Sequence, residues 1–202
     1  MSGIQGGSPF DEPVAVLKSS NPVAVAEKTG AIWEATGEKE GHLVVPVIHG
    51  NVLVDFPGIS IRASDDLGTF PITLLTLIYL SNSDGTPPSC SWTAYRDFPG
   101  GLFYEPVVKR SVEDPLVDAF GSDLDAFRAA ARRLKGTAQD FGDAAYSFNL
   151  FPRVPICFIV WSSGPEFPAR ASVLFDSNCG HHLSTFDLRM GAQEISSRLI
   201  RG

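Results

Sequence analysis

Apolar and polar positions follow two different periods along this chain, and the switches between them mark out its elements. Residues 11–18 (DEPVAVLK) read as a short helix with acidic residues in its first turn. Asn21-Pro22 is a second start signal, because an asparagine side chain can cap free N–H groups and proline fits the first helical position. That helix is expected to run through VAVAEKT and to stop at Gly30. The period then shortens. Residues 31–36, 43–48 and 51–56 are β-type runs separated by turns, with His49-Gly50-Asn51 as a hairpin loop and 59–63 extending the meander. Pro71 opens PITLLTLIYLSN, which is apolar nearly all round. Its length favours a helix buried on most of its surface, with a buried strand as the alternative. Residues 83–89 (SDGTPPS) form a turn and a stiff extended piece, and 91–98 (SWTAYRDF) read as a strand ending at Pro99-Gly100-Gly101.

Two helices are expected at 105–120 and 123–135. Ser122 is the cap of the second, Gly136 its stop, and Leu124, Phe127, Ala130, Ala131 and Leu134 form its apolar stripe. Strands follow at 144–151, 154–161 and 171–175. A final helix, 186–200, is expected to be capped by Thr185, with Arg198 and Arg201 near its negative end. Strands and helices do not alternate as βαβ units. The pattern therefore predicts an α+β single domain over residues 10–202, with a mostly antiparallel sheet and helices packed on it. Residues 1–9, rich in Gly and Ser, read as a flexible arm.

Composition narrows the function. The chain has 202 residues, 44% of them hydrophobic, and a chain of that size can bury roughly 70% of its unfolded surface without staples. Its 16 Lys plus Arg stand against 23 Asp plus Glu, for a net charge of −7. Phosphate affinity comes from clustered cations, so no nucleic-acid partner is expected. Cys90, Cys157 and Cys179 make no CxxC pair, and three thiols cannot hold a self-contained four-cysteine iron–sulfur cluster. Their odd number and scatter suit a reducing compartment. The opening MSGIQGGSPFDEP has neither a basic n-region nor an apolar h-region. The longest apolar run, residues 72–80, falls short of the roughly 18 residues a membrane helix needs. A cytoplasmic protein without membrane insertion is the expectation. The nucleophile elbow GxSxG, the phosphate loop GxxxxGK[ST], the dinucleotide fingerprint GxGxxG and the zinc motif HExxH are all missing.

Two clusters carry candidate chemistry. In FDSNCGHHLSTFD, Asp176, Cys179, His181 and His182 bring carboxylate, thiol and imidazole together. Such a set can bind a transition metal, through His181, Cys179 and Asp176, or supply a base and a nucleophile. Neighbouring residues of a strand face opposite ways, so one histidine of the pair is expected as a ligand. The plainer reading makes Asp176 a partner of backbone N–H groups in a turn. The second cluster runs from Asp84-Gly85-Thr86-Pro87-Pro88 through Trp92, Tyr95 and Arg96 to Tyr104. Aromatics beside glycines and an arginine can hold a planar or anionic ligand, or can simply shape turns and bury surface. Arg153, between two strands, is expected to pair with an acid such as Asp143 or to bind a ligand carboxylate. His181, His182, Trp92, Tyr95, Arg96, Tyr104 and Arg153 are thus the cofactor-binding candidates.

The runs DGTPPSCSWTAYRDFPGGLFY, FGDAAYSFNLFPRVPICFIVW, EFPARASVLFD and HHLSTFDL resemble a family of uncharacterised prokaryotic domains, domain of unknown function thirty-seven eighty-six, common in anaerobes. The resemblance covers residues 20–200. It implies an association with corrinoid or one-carbon metabolism and, in some relatives, fusion to a cysteine-rich iron–sulfur segment. This chain lacks that segment, and it has Leu183-Ser184-Thr185-Phe186-Asp187 where relatives carry a run like LPTED. The expectation is a non-catalytic accessory domain that binds a metallocofactor, a corrinoid or haem, or a protein partner carrying one in a redox or methyl-transfer complex. Two alternatives stand beside it. One is a small hydrolase- or transferase-type enzyme using His181 or His182 with Asp176 or Cys179. The other is a structural subunit of a larger complex.

Overall fold

Local capping chemistry sets the first helices, α1 (Asp11–Lys18) and α2 (Pro22–Thr29). Asn21 Oδ1 accepts the N–H groups of Val23 and Ala24 at 2.9 and 3.4 Å, and Gly30 ends α2 at φ 70°. The computed structural model describes residues 7–38 and 40–201. Most of the arm expected at 1–9, residues 1–6, lies outside them.

A four-stranded antiparallel meander follows: β1 (Ile32–Ala35), β2 (Gly41–Val47), β3 (Gly50–Phe56) and β4 (Ser60–Ala63), paired in chain order. Leu43, Val45 and Val47 on β2 and Val52, Val54 and Phe56 on β3 alternate inward. Val47 pairs with Gly50, so the hairpin loop is Ile48-His49, and Gly50 and Asn51 already belong to β3. The apolar segment is the helix α3 (Phe70–Asn82). The hydroxyls of Thr76 and Ser83 bond back to the carbonyls of Ile72 and Tyr79, at 2.7 Å each, so no polar side chain there is stranded in the core.

The second sheet has five antiparallel strands in the order β5-β9-β8-β7-β6, with β5 at Trp92–Ala94, β6 at Thr137–Gln139, β7 at Ala144–Phe151, β8 at Val154–Trp161 and β9 at Arg170–Asp176. The α+β architecture thus holds, with two sheets in place of one. The Ile48 N–H donates to Asn149 O at 3.0 Å and ties them together. One apolar cluster runs through both sheets and the helices between them, with Tyr79, Phe127, Phe151, Phe158 and Phe175 among its fully buried members.

The strand expected at 91–98 stops at Ala94. Asp97 Oδ2 accepts the Thr93 hydroxyl and the Ala94 N–H at 2.9 and 3.1 Å, which folds Tyr95–Asp97 into a 3-10 turn. Beyond it α4 (Gly101–Val108), a π-helical turn (Lys109–Glu113) and α5 (Asp114–Phe120) form one run, longer than the helix expected from 105. Pro115 has no N–H for the carbonyl four residues back, and the wider turn absorbs the lost register. In that turn the half-buried Glu113 accepts the Val173 N–H at 3.2 Å. Burial raises its carboxyl above the ordinary value. Its folded form therefore favours the proton, so its contribution to stability is complete below the unfolded pKa and is lost as pH rises through the folded one. Glu113→Gln, which keeps the acceptor, is expected to raise Tm at pH 7 and to lose that advantage towards pH 4. A lower Tm at pH 7 would contradict it.

The cap of α6 (Leu124–Arg133) is Asp123, whose Oδ1 accepts the Ala126 N–H at 2.9 Å, and not Ser122. Lys135 takes the left-handed conformation at its end. Gly136 is required for space, because a Cβ there would meet the Phe148 ring at 2.6 Å. The cap of α7 (Thr185–Arg201) is Ser184, one residue before the expected Thr185. Its hydroxyl oxygen accepts the Asp187 N–H at 3.3 Å and the Asp187 carboxylate accepts the Ser184 N–H at 3.2 Å in a capping box, while the hydroxyl also donates to Asp187 Oδ2 at 2.6 Å. Arg198, expected near the negative helix end, is buried and ties Glu194 to the Asp66 carbonyl.

Candidate functional site

The site forms where residues 84–91 cross the end of β9. Asp176 is almost completely buried, and both its oxygens are taken by backbone: Oδ1 accepts the N–H groups of Ser89 and Asn178 at 2.9 Å each, and Oδ2 that of Cys90 at 2.7 Å. Asn178 Nδ2 donates to Pro87 O at 3.0 Å, and His182 Nε2–H donates to Thr86 O at 2.9 Å. The crossing segment is therefore held by its backbone, which frees its side chains for other partners.

His181 and His182 sit in opposite surroundings. His182 is 1% exposed, stands edge-on to Tyr79 at 5.9 Å, and is held below its ordinary pKa by burial. His181 is half exposed, and its Nδ1 lies 2.8 Å from Asp84 Oδ2. The Asp84 carboxyl is held far below the usual carboxylate range by the Thr86 N–H, then by the Thr86 hydroxyl and His181. An ionised Asp84 requires the proton on Nδ1. Nε2 of a neutral His181 is then a free lone pair, with no hydrogen-bond partner among the described residues. Cys179 is fully buried. Its thiol donates to Pro155 O at 3.5 Å, and burial pushes its pKa well up, so it stays protonated.

His181 lines an open groove of about 780 Å³ between the β5–α4 connection and the start of α7. The buried Tyr95, Phe98 and Leu183 lie beneath it, and the Tyr95 hydroxyl donates to Thr185 O at 2.9 Å. Tyr104 and Phe186, each 57% exposed, stand at its lips. Arg189 completes the wall, its guanidinium 4.8 Å above the Phe186 ring.

Of the sequence candidates, the groove gathers Tyr95, Tyr104 and His181. The others lie elsewhere. Trp92 pairs with Asp176 across β5–β9 and packs on the outer face of the five-stranded sheet, against the cluster of Ala145, Cys157 and Ile159. Arg96 pairs with Glu105 at 3.5 Å. Arg153 does not pair with Asp143: its Nη2 donates to Glu27 O at 3.0 Å, while Asp143 Oδ2 accepts the Ser162 N–H and hydroxyl. Asp176, Cys179 and His181 each turn to separate partners, and among the described residues no group of three or more His, Cys, Asp or Glu is placed to hold a metal ion. A base–nucleophile pair from these residues would need the same convergence. Phe186 and Arg189 escaped sequence reasoning. Their spacing of three puts them on one helix face once Ser184 is known to start the helix.

Fold and groove together define an α+β domain of two antiparallel sheets with an open, aromatic-lipped groove beside a carboxylate-backed histidine. Residues 21–197 match the family described as Domain of unknown function (DUF3786), and the chain belongs to that family. No curated protein and no solved structure matches it. No helix among the described residues is long and apolar enough to cross a membrane.

Proposed function

We propose that this chain is a non-catalytic binding domain whose groove holds a planar, metal-bearing cofactor of tetrapyrrole type, a corrinoid or haem. The observation that carries the reading is the Asp84–His181 pair at 2.8 Å on the groove wall. A carboxylate behind Nδ1 fixes the tautomer, orients the ring and makes Nε2 a better metal ligand. A single histidine suffices for a metal that a macrocycle already holds, so the dispersal of Asp176 and Cys179 is no obstacle. The groove volume falls within the roughly 300–1,000 Å³ of small-molecule sites, and Tyr104 and Phe186 offer faces for stacking. The buried, protonated Cys179 supplies no nucleophile, which favours holding a cofactor over hydrolytic or transfer chemistry. The domain would serve a cytoplasmic redox or methyl-transfer assembly, with Leu102 and Phe103, strongly exposed on α4, available to a protein partner.

Purification without oxygen, an absorption spectrum, metal analysis and titration with haem and with a corrinoid test this. The expected result is a bound chromophore, or uptake with a histidine-ligation spectrum that His181→Ala abolishes. Asp84→Asn should weaken that binding by about tenfold, the lower end for a group supporting a metal-bound histidine. A colourless, metal-free protein indifferent to both titrants would end the proposal.

A further inference from the structure

Besides the phenols of Tyr95 and Tyr104, three charged or titratable side chains line the groove: Asp97, His181 and Arg189. Asp97 is occupied, since its Oδ2 accepts the Thr93 hydroxyl and the Ala94 N–H. His181 is bound to Asp84. Arg189 is different. It is half-buried, no carboxylate among the described residues lies within ion-pair distance, and its one hydrogen bond is a 3.3 Å contact from Nη1 to the amide oxygen of Gln193. Among the described arginines, Arg62, Arg96, Arg128 and Arg198 each meet a carboxylate within 4 Å and the others do not; what sets Arg189 apart is its place on the wall of this groove. A guanidinium part-withdrawn from water, placed over the Phe186 ring and left with free N–H groups in a cavity, is a fork available to an anionic group. The contact with the Phe186 ring restrains the fork, which lowers the ordering cost when a carboxylate arrives.

We infer that Arg189 forms a carboxylate-binding subsite in this groove, so that the ligand is selected for an acidic substituent on its planar body. The inference rests on the groove reading above, but it does not depend on metal ligation by His181. Arg189 acts here through the ligand's periphery, and Phe186 acts through Arg189 as a positioning residue.

Metal-free protoporphyrin, a planar dicarboxylic acid, is the probe, compared by fluorescence titration with its dimethyl ester. The native chain is expected to bind the acid at least tenfold more tightly than the ester. Arg189→Gln should bring the two within threefold of each other, chiefly by weakening the acid. Arg189→Lys, which keeps the charge but not the fork, should fall between them. Arg128→Gln, which removes a cation on α6 outside the groove, should leave the preference for the acid unchanged. Equal affinity for acid and ester, no binding of the acid, or a preference that survives Arg189→Gln with an unchanged circular dichroism spectrum would each overturn the subsite. If the acid binds through Arg189 while haem and corrinoid give no His181-dependent spectrum, the metal reading fails and the subsite stands. If haem ligates His181 but esterification costs nothing, the subsite alone fails.

Discussion

Asp176→Ala is expected to cost about 3–5 kcal/mol of folding stability, among the largest losses available to a single polar substitution in this chain. Three backbone N–H groups, those of Ser89, Cys90 and Asn178, converge on this carboxylate. Leaving one buried donor unmade costs about 1–3 kcal/mol, and water can reach part of this cluster, which places the total towards the lower end of the sum. Cys90 adds a second reason: it is held at φ 61°, a conformation a side-chain-bearing residue adopts only when its surroundings impose it. Asp176→Asn keeps one acceptor and turns an amide N–H towards a donor, so about half the loss is expected. The consequence for function is separable. Residues 84–91 also carry Asp84, so releasing them removes the group behind His181, and cofactor binding should fall even at temperatures where the variant is folded. Urea unfolding at pH 7 checks the first part; a loss under 1 kcal/mol for the alanine variant would show that the segment is held by other contacts.

Asp176 also shows what could be read from sequence. Carboxylate, thiol and two imidazoles within seven residues resemble a ligand set on paper, yet only His181 reaches the groove. The reason is that neighbouring positions of a β9-to-turn segment diverge, and a backbone-organising aspartate looks the same in sequence as a metal-binding one. Elements were legible where the signal is local. Asn21, Pro22 and Gly30 bound α2 as expected, and β7, β8 and β9 fall within a residue of their predicted limits, because capping and period-two burial act over a few residues. The pairing of β5 with β9 joins residues 80 to 84 positions apart, and no local pattern encodes it. That pairing decides the site. It sends Trp92 to the outer face of the sheet and Thr93 to the groove, and it brings the aromatic segment after β5 against the start of α7. Ser184 and Asp187 together carry the signature of a capping box one residue ahead of Thr185, and that start places Phe186 and Arg189 on one helix face.

Gly101→Ala is the second large effect expected, about 3 kcal/mol or more, and it acts on the groove from below. A Cβ at Gly101 would overlap the Tyr95 carbonyl oxygen and lie 2.9 Å from the carbonyl carbon. Both atoms are backbone, so no rotamer change relieves the clash. The Gly101 N–H meanwhile donates to Phe98 O at 2.8 Å, which fixes the close approach that excludes a side chain. Gly100 is the control. Its φ is 74° but a Cβ there meets nothing within 4 Å, so Gly100→Ala should cost only the left-handed penalty, about 1 kcal/mol. Glycine is thus needed at two consecutive positions for different reasons, conformation at the first and space at the second. If denaturant unfolding finds the two losses equal, the crowding argument is wrong. The groove supplies an independent readout. Gly101 starts α4, which carries Tyr104, while Tyr95 stays anchored to Thr185 O on the α7 side. Relief of the clash must therefore shift one lip against the floor, and Gly101→Ala should lose porphyrin affinity out of proportion to Gly100→Ala under conditions where both remain folded.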